Sequence, residues 1–369
     1  MAWQSWVVWC LAIIPIVLTI LPMWRSPIWW IRVWDYPRLQ IVVLLALVIV
    51  VELIMFDFVA EGLLLLLVTF ACLGWQISRI WMYTPVAPKQ VQDTEATPSD
   101  DSVAILIANV LQSNRRADLF LREVEAMDPD LVLTVETNQW WADQLAPLRE
   151  RYPHHVLHPL DNTYGMLLFS RLELSEITLL ERIAKDIPSI FARVRLRSGR
   201  QFDLHCVHPE PPQPVNDVDQ RDAELLLVGK QVVVDKRPTV VCGDLNDVAW
   251  SHTTRLFQRI SGLLDPRVGR GIYPTFHAEH WFARWPLDHV FHDACFRLQE
   301  LKVLNYFGSD HFPVFIRLQF EADAEEAQKP EHQAEEDDVA EADEKIEEGA
   351  EAEAKEEAAE SGSGKGRSD

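Results

Sequence analysis

The sequence predicts an α/β domain, with two mixed β-sheets flanked by helices, preceded by three transmembrane helices. Three observations lead there. Three apolar runs, each close to the roughly 20 residues that cross a bilayer, fall within residues 1–82. Residues 102–320 then carry many short strand-like runs with few helical patterns between them. Several of those strands sit next to one another along the chain, as in a mixed sheet rather than a strict strand–helix alternation.

The predominantly apolar runs cover 6–23, 39–56 and 63–81, with Pro15 and Thr19 as interruptions in the first and Glu52 near the end of the second. Trp3, Trp6, Trp24, Trp29, Trp30, Trp34, Trp75 and Trp81 crowd their ends, as interfacial anchors do. No basic residue precedes the first run and no small-residue cleavage site follows it, which speaks against a cleaved signal peptide. Arg25, Arg32 and Arg38 lie between runs one and two, Arg79 lies at the end of run three and Lys89 beyond it, and with three spans both groups share one side. The turn between runs two and three carries Asp57 and Glu61 instead. The positive-inside rule then places the C-terminal region in the cytoplasm. The expectation is an integral protein of a bacterial inner membrane with the lipid bilayer as a partner.

Residues 83–101 are rich in Pro, Thr and Asp and read as a linker. The formal net charge of −22 is concentrated at one end, since residues 321–369 carry −15 and residues 1–99 carry −1. The remaining −6 argues against tight nonspecific binding to a nucleic-acid backbone. The segment 321–369 is rich in Glu and Ala and lacks aromatic residues, so it reads as an acidic disordered tail. Five cysteines match no zinc spacing, and Cys206 and Cys242 fall inside apolar strand patterns.

Within 102–320, strands are expected at 103–109, 131–136, 165–170, 190–196, 202–208, 239–242, 287–291 and 312–318. Helices are expected at 118–127, 219–234 and 251–260. In 118–127, Leu119, Phe120, Val124 and Met127 recur at helical spacing.

Polar residues mark the ends of six of these strands. Asn109 closes AILIAN, Glu136 closes DLVLTVE, and His208 closes FDLHCVH before a proline-rich loop. Gly243 breaks the run TVVC and is followed by Asp244, Asn246 and Asp247. Asp288 opens the strand in PLDHVF, and Ser309, Asp310 and His311 precede the last strand in GSDHFPVFIRL. Each alone is an ordinary turn residue. Together, carboxylate and amide oxygens at one sheet edge make a hard-cation site suited to Mg²⁺ or Mn²⁺ rather than zinc. His154, His155 and His158 read as members of a Pro-containing loop, and His277 and His280 as residues bordering a cleft.

In this order, Asn109, Glu136, His208, GDLN at 243–246, LDHVF at 287–291 and SDHFPV at 309–314 resemble the endonuclease/exonuclease/phosphatase superfamily. The resemblance implies a four-layer α/β sandwich and metal-assisted, in-line attack of water on a phosphoester. It also implies Glu136 as principal metal ligand, with Asn109 and Asp310 nearby. Asp244 would activate the water and Asn246 would hold the phosphate. His311, oriented by Asp288, would contact the phosphate, and His208 would be a second contact or the leaving-group acid. Arg171, after GMLLFS, reads as structural. The substrate would be a lipid head group, a small phosphoester or a nucleic acid, and no protein partner is legible. A nuclease using the same site and a catalytically inactive membrane scaffold are the competing readings. The absence of an evident basic patch puts abasic-site repair in doubt.

Overall fold

The structure is a computed structural model and describes residues 3–55, 60–212, 218–328 and 333–363. It divides into two compact units, one dominated by residues 1–88 and one by the chain from residue 89 onward.

In the first unit, α1 (Trp3–Ile20), α3 (Arg38–Met55) and α4 (Ala60–Ile80) follow the expected apolar runs, and a short α2 (Trp29–Arg32) lies between the first two. Three helices are long and apolar enough to cross a membrane. Val8, Ala12, Ile16, Ile41, Leu45, Val48, Leu65 and Cys72 pack between them. Their other apolar faces are exposed: Ile54 is 77 % accessible and Leu64 61 %. That is the inverse of a water-soluble bundle and suits a lipid surround. A polar seam crosses the bundle: Arg38 Nη1 donates to Gln76 Oε1 (2.9 Å), and Gln76 Nε2 donates to Thr19 Oγ1 (3.1 Å). Thr69 Oγ1 donates to Glu52 Oε1 (3.0 Å). These bonds satisfy polar groups that hydrocarbon cannot solvate.

The second unit runs β1 (Ser102–Asn109), α5 (Ala117–Met127), β2 (Leu131–Val135), α6 (Gln139–Gln144), β3 (His154–His158), β4 (Met166–Ser170), β5 (Glu173–Glu181), β6 (Pro188–Arg195) and β7 (Gln201–Cys206). It continues with α7 (Asp219–Asp235), β8 (Thr239–Asp244), α8 (His252–Ser261), β9 (Asp288–His292), β10 (Phe296–Val303), β11 (Val314–Phe320), α9 (Ala324–Ala327) and α10 (Glu336–Ser363). One sheet has the order β10-β11-β1-β2-β4-β3, the other β5-β6-β7-β8-β9. β1 runs parallel to β2 and β7 to β8, and the other pairs are antiparallel.

Period-two alternation builds the layers. Val103, Ile105 and Ile107 of β1 point between the sheets, where they meet the core that holds Ile190, Leu204 and Val240. Ala104, Leu106 and Ala108 point the other way, to Phe120 and Val124 of α5 and Trp141 of α6. On the second sheet Val240 and Cys242 face inward, while Val241 faces Leu226 of α7 and Phe257 of α8. Helices, sheet, sheet and helices therefore stack as the four-layer α/β sandwich. Ser251 caps α8 by accepting from Thr254 N (3.0 Å), and Gly262 ends it in the left-handed region.

The structure corrects the sequence reading in three places. His154, His155 and His158 lie on strand β3, not in a loop. β3 is an edge strand in which Val156 alone is buried, so it shows no apolar alternation. β5 and β10 were not expected either: β5 is a mostly exposed edge strand, and both carry a register shift that breaks the period. Finally, residues 336–363 form α10 rather than a disordered tail. Ala342 and Ile346 join the cluster of Leu225, Leu226 and Phe257, and Arg259 makes a two-pronged ion pair with Asp338 (2.8 and 3.0 Å). A helix that cannot bury a core of its own shares one with α7 and α8.

Candidate active site

Both parallel pairs, β1/β2 and β7/β8, deliver their carboxyl ends to one edge of the sandwich. Asn109 is the last residue of β1 and Glu136 follows β2 in a left-handed conformation (φ 57°). Asn109 Nδ2 donates to Glu136 Oε1 (2.7 Å) and to Asp244 Oδ2 (2.9 Å), so one amide bridges the two sheets. Asp244 ends β8, directly opposite Asp288 of β9 in the ladder. Gly243 makes this possible: at φ 145° it lies so close to the Val207 carbonyl that a Cβ would stand 1.9 Å from the oxygen.

His311 is held between the two carboxylates. Its Nδ1 lies 2.8 Å from Asp288 Oδ2 and its Nε2 3.5 Å from Asp244 Oδ2. Ser309 fixes the approach of this segment, donating Oγ–H to the Asn109 carbonyl (2.8 Å) and accepting from His311 N (3.1 Å). His208 Nε2 stands 4.0 Å from Asp244 Oδ2, and its ring packs 5.5 Å from that of Tyr164. Asn246 N donates to Asp244 Oδ1 (3.0 Å) and its Nδ2 to the Pro209 carbonyl (3.0 Å). Asp310 stands near enough to act electrostatically on both Glu136 and His311. All eight residues given site roles by the family resemblance thus meet at this edge. Arg171 does not: it pairs with Asp128 away from the edge.

Burial and charge set the protonation states. Burial pushes the Glu136 carboxyl up to about 7, against the Asn109 hydrogen bond, and Asp244 pushes it further. Burial raises Asp244 as well, opposed by His311. Burial pulls His311 down, but Asp244 and Asp288 outweigh it and lift the imidazole to about 10. Burial lowers His208 to about 4, so it is neutral at pH 7. The site therefore holds one imidazolium, one neutral imidazole and a group of crowded carboxylates.

That crowding is the test of fit for a cation. Asp244, Asp288 and His311 offer ligand atoms within 4.8 Å of one another. A protonated His311 has no lone pair to give, however, and its Nδ1 is already committed to Asp288. The hard oxygens of Glu136 and Asp310 remain, and a carboxylate that burial and its neighbours resist ionising is one that a divalent cation relieves. Asn109 presents its NH₂ to the carboxylates and its Oδ1 accepts from Leu111 N (3.0 Å), so ligation through oxygen requires a half-turn of its amide.

Three contributors escaped the sequence. Thr275 Oγ1 accepts from the backbone of Leu287 and Asp288 (3.2 Å each), fixing the start of β9. Phe276 packs its ring 4.9 Å from that of His311. Tyr164 covers His208. None carries a spacing signal, since each comes from a loop that only tertiary folding brings to the site.

A family model described as "Endonuclease/Exonuclease/phosphatase family" matches residues 106–311, a span that includes all eight site residues. The chain belongs to the endonuclease/exonuclease/phosphatase family. By that membership it is a metal-dependent hydrolase of phosphoester bonds. Solved structures agree on the fold. The human Nocturnin catalytic domain with bound sulfate is similar at 19 % identity and a TM-score of 0.51, over 61 % of this chain and 96 % of that one. A D. rerio TDP2 humanized by 14 mutations is similar at 15 % identity and a TM-score of 0.50, over 60 % of this chain and 100 % of that one. No curated protein matches the chain in sequence. As a family member it carries, beyond the matched span, three candidate membrane spans before the domain and α10 after it.

Proposed function

We propose that the chain is a membrane-anchored phosphoesterase that takes Mg²⁺ or Mn²⁺ and hydrolyses its substrate by in-line attack of water. The observation that carries this reading is His311 clamped between Asp244 and Asp288, with Asn109 tying Asp244 to Glu136 across the two sheets. Glu136 and Asp310 hold the cation, which when bound stabilises charge on the phosphoryl and leaving oxygens. Asp244 orients and deprotonates the water, and its deep burial raises its basicity for that step. His311, as an imidazolium, binds a phosphoryl oxygen, and Asp288 fixes the ring so that Nε2 faces the substrate. His208, neutral at pH 7, serves as an N–H donor to the phosphate rather than as a stored acid. Asn246 holds a further oxygen of the same group.

The reading of the substrate rests on charge and surface. Residues 100–320 carry −6 and α10 adds many carboxylates, a poor field for polyanionic nucleic acid. Trp281 and Phe282 are 83 % and 61 % exposed in the loop that begins at Phe276, beside His311. Exposed aromatics next to the site, on a chain with three candidate spans, favour a lipid head group. The domain faces the cytoplasm in this reading, as the Arg distribution indicates.

Full chain in detergent micelles should hydrolyse an activated phosphodiester with Mg²⁺ or Mn²⁺ and stop with a chelator. Asp244→Asn should cut kcat at least about a thousandfold while the circular dichroism is retained. Wild type and variant turning over at equal rates would overturn the assignment.

A further inference from the structure

The C-terminal helix contains one residue that reaches the site's support. Lys345 on α10 donates Nζ–H to Asp222 Oδ2 (3.2 Å) on α7. The other oxygen of Asp222 accepts from Arg221 Nη2 (2.8 Å) and Nε (3.2 Å). Arg221 Nη1 in turn donates to the backbone carbonyl of Asn246 (2.9 Å). Arg221 Nη2 also lies 3.7 Å from Asp247 Oδ2, the oxygen that accepts from Ser251 Oγ and Thr254 Oγ1 at the start of α8. A continuous line of charged hydrogen bonds therefore runs from α10 to the residue read above as holding the phosphate.

Three features make this a built contact rather than a chance one. Arg221, Asp222 and Asp247 are 3 %, 1 % and 1 % exposed. Lys345 sets a positive charge against Asp222, and a buried carboxylate is stable only when so paired. Next, Gly349 sits at the closest approach of α10 to α7. A Cβ there would stand 2.4 Å from Ala223 Cβ and 2.7 Å from the Asp219 carbonyl. The glycine is helix-weakening in itself, and here it lets two backbones approach. Finally, Asn246 has φ 49°, a left-handed conformation that Asn adopts more readily than other non-glycine residues and that its surroundings restrain further. Arg221 is one of those restraints.

We propose that Lys345 and Arg221 are positioning residues: docked α10 fixes Asn246 for phosphate binding through Asp222. The proposal rests on the phosphoesterase reading of Asn246. α10 is also held by the half-buried ion pair of Asp338 with Arg259 and by the contact of Glu341 with His252 Nε2.

The test uses full chain in detergent micelles with Lys345→Met, Lys345→Arg and Gly349→Leu, and Lys355→Met as a control on the exposed face of α10. Two quantities are read: amide exchange of the 244–250 segment, and kcat and KM on a soluble activated phosphodiester. Lys345→Met and Gly349→Leu should speed exchange in that segment and lower kcat/KM about tenfold. Lys345→Arg should stay near wild type in both, and Lys355→Met should match wild type. Unchanged exchange at 244–250 in Lys345→Met overturns the proposal, whatever the activity. So does an equal loss in Lys355→Met, which would reduce the effect to general charge. A wild type without turnover sinks the hydrolase reading instead, and the exchange result still decides whether α10 holds Asn246.

Discussion

Asp288→Asn isolates one bond of the site. Asp288 Oδ2 lies 2.8 Å from His311 Nδ1, and both residues are buried. The substitution keeps the shape and removes the charge, so a charge-assisted hydrogen bond becomes a neutral one. Such bonds contribute about 1.5–3 kcal/mol, against about 1 for neutral pairs. The ring also loses one of the carboxylates that hold it as an imidazolium, leaving Asp244 and Asp310. The imidazole then protonates less readily, and its Nε2 is less firmly aimed. A loss of about 2–4 kcal/mol in transition-state stabilisation is about 30- to 1000-fold in kcat/KM. The pH dependence adds a sharper mark. In wild type, His311 is raised to about 10 from an ordinary 6.5. Its stabilising charge is therefore fully present below about 6.5 and lost as pH rises through about 10. In Asp288→Asn that loss begins at lower pH, so the variant should fall further behind wild type at pH 9 than at pH 6. The assay is kcat/KM on a soluble activated phosphodiester across that range. Profiles that run parallel, or a deficit under about threefold, would refute the role given to the pair.

Two further outcomes follow from the same geometry. Burial pushes the Glu136 carboxyl up to about 7 from an ordinary 4.5, so its protonated form contributes stability below about 4.5 that is lost as pH rises through 7. The rise in melting temperature with Mn²⁺ should be larger at pH 8 than at pH 5, and should vanish in Glu136→Gln; a Glu136→Gln protein with the wild-type shift would remove Glu136 from the cation site. Gly243→Ala puts a Cβ 1.9 Å from the Val207 carbonyl at φ 145°. It should destabilise by more than about 3 kcal/mol in chemical denaturation, and a value within about 1 kcal/mol of wild type would contradict the close approach of β8.

Much of the fold was legible because interior strands bury both faces. β1, β2 and β4 are buried at every position, so their apolar runs stand out without any alternation to interpret. β3 and β5 lie at sheet edges, and β10 is split by a bulge. There the burial that writes a pattern into the sequence is absent or shifted by one residue. The strand-end polar residues were readable for the opposite reason: an Asn, Glu or Asp closing an apolar run is conspicuous. Thr275 and Phe276 act through a backbone contact and a ring face, which no residue type announces.

The tail shows where composition misleads. A Glu/Ala-rich segment without aromatics lacks the apolar surface to fold alone, and that inference from composition is sound for the isolated segment. It fails for α10 because the surface it needs is supplied by α7 and α8. Ala342, Lys345, Ile346 and Gly349 recur at intervals of three and four, one face of a helix, and place apolar, basic and small residues against α7 and α8. The remaining carboxylates hide that stripe in any average over the segment. Of the four, Lys345 alone adds a charge to the buried pair at Asp222, and so couples the docking of a surface helix to the backbone of Asn246. A chain designed only to be solvated would have no use for a lysine and a glycine at that spacing. Their coincidence with a buried carboxylate and a backbone near-contact is what separates a docked element from a solvated tail.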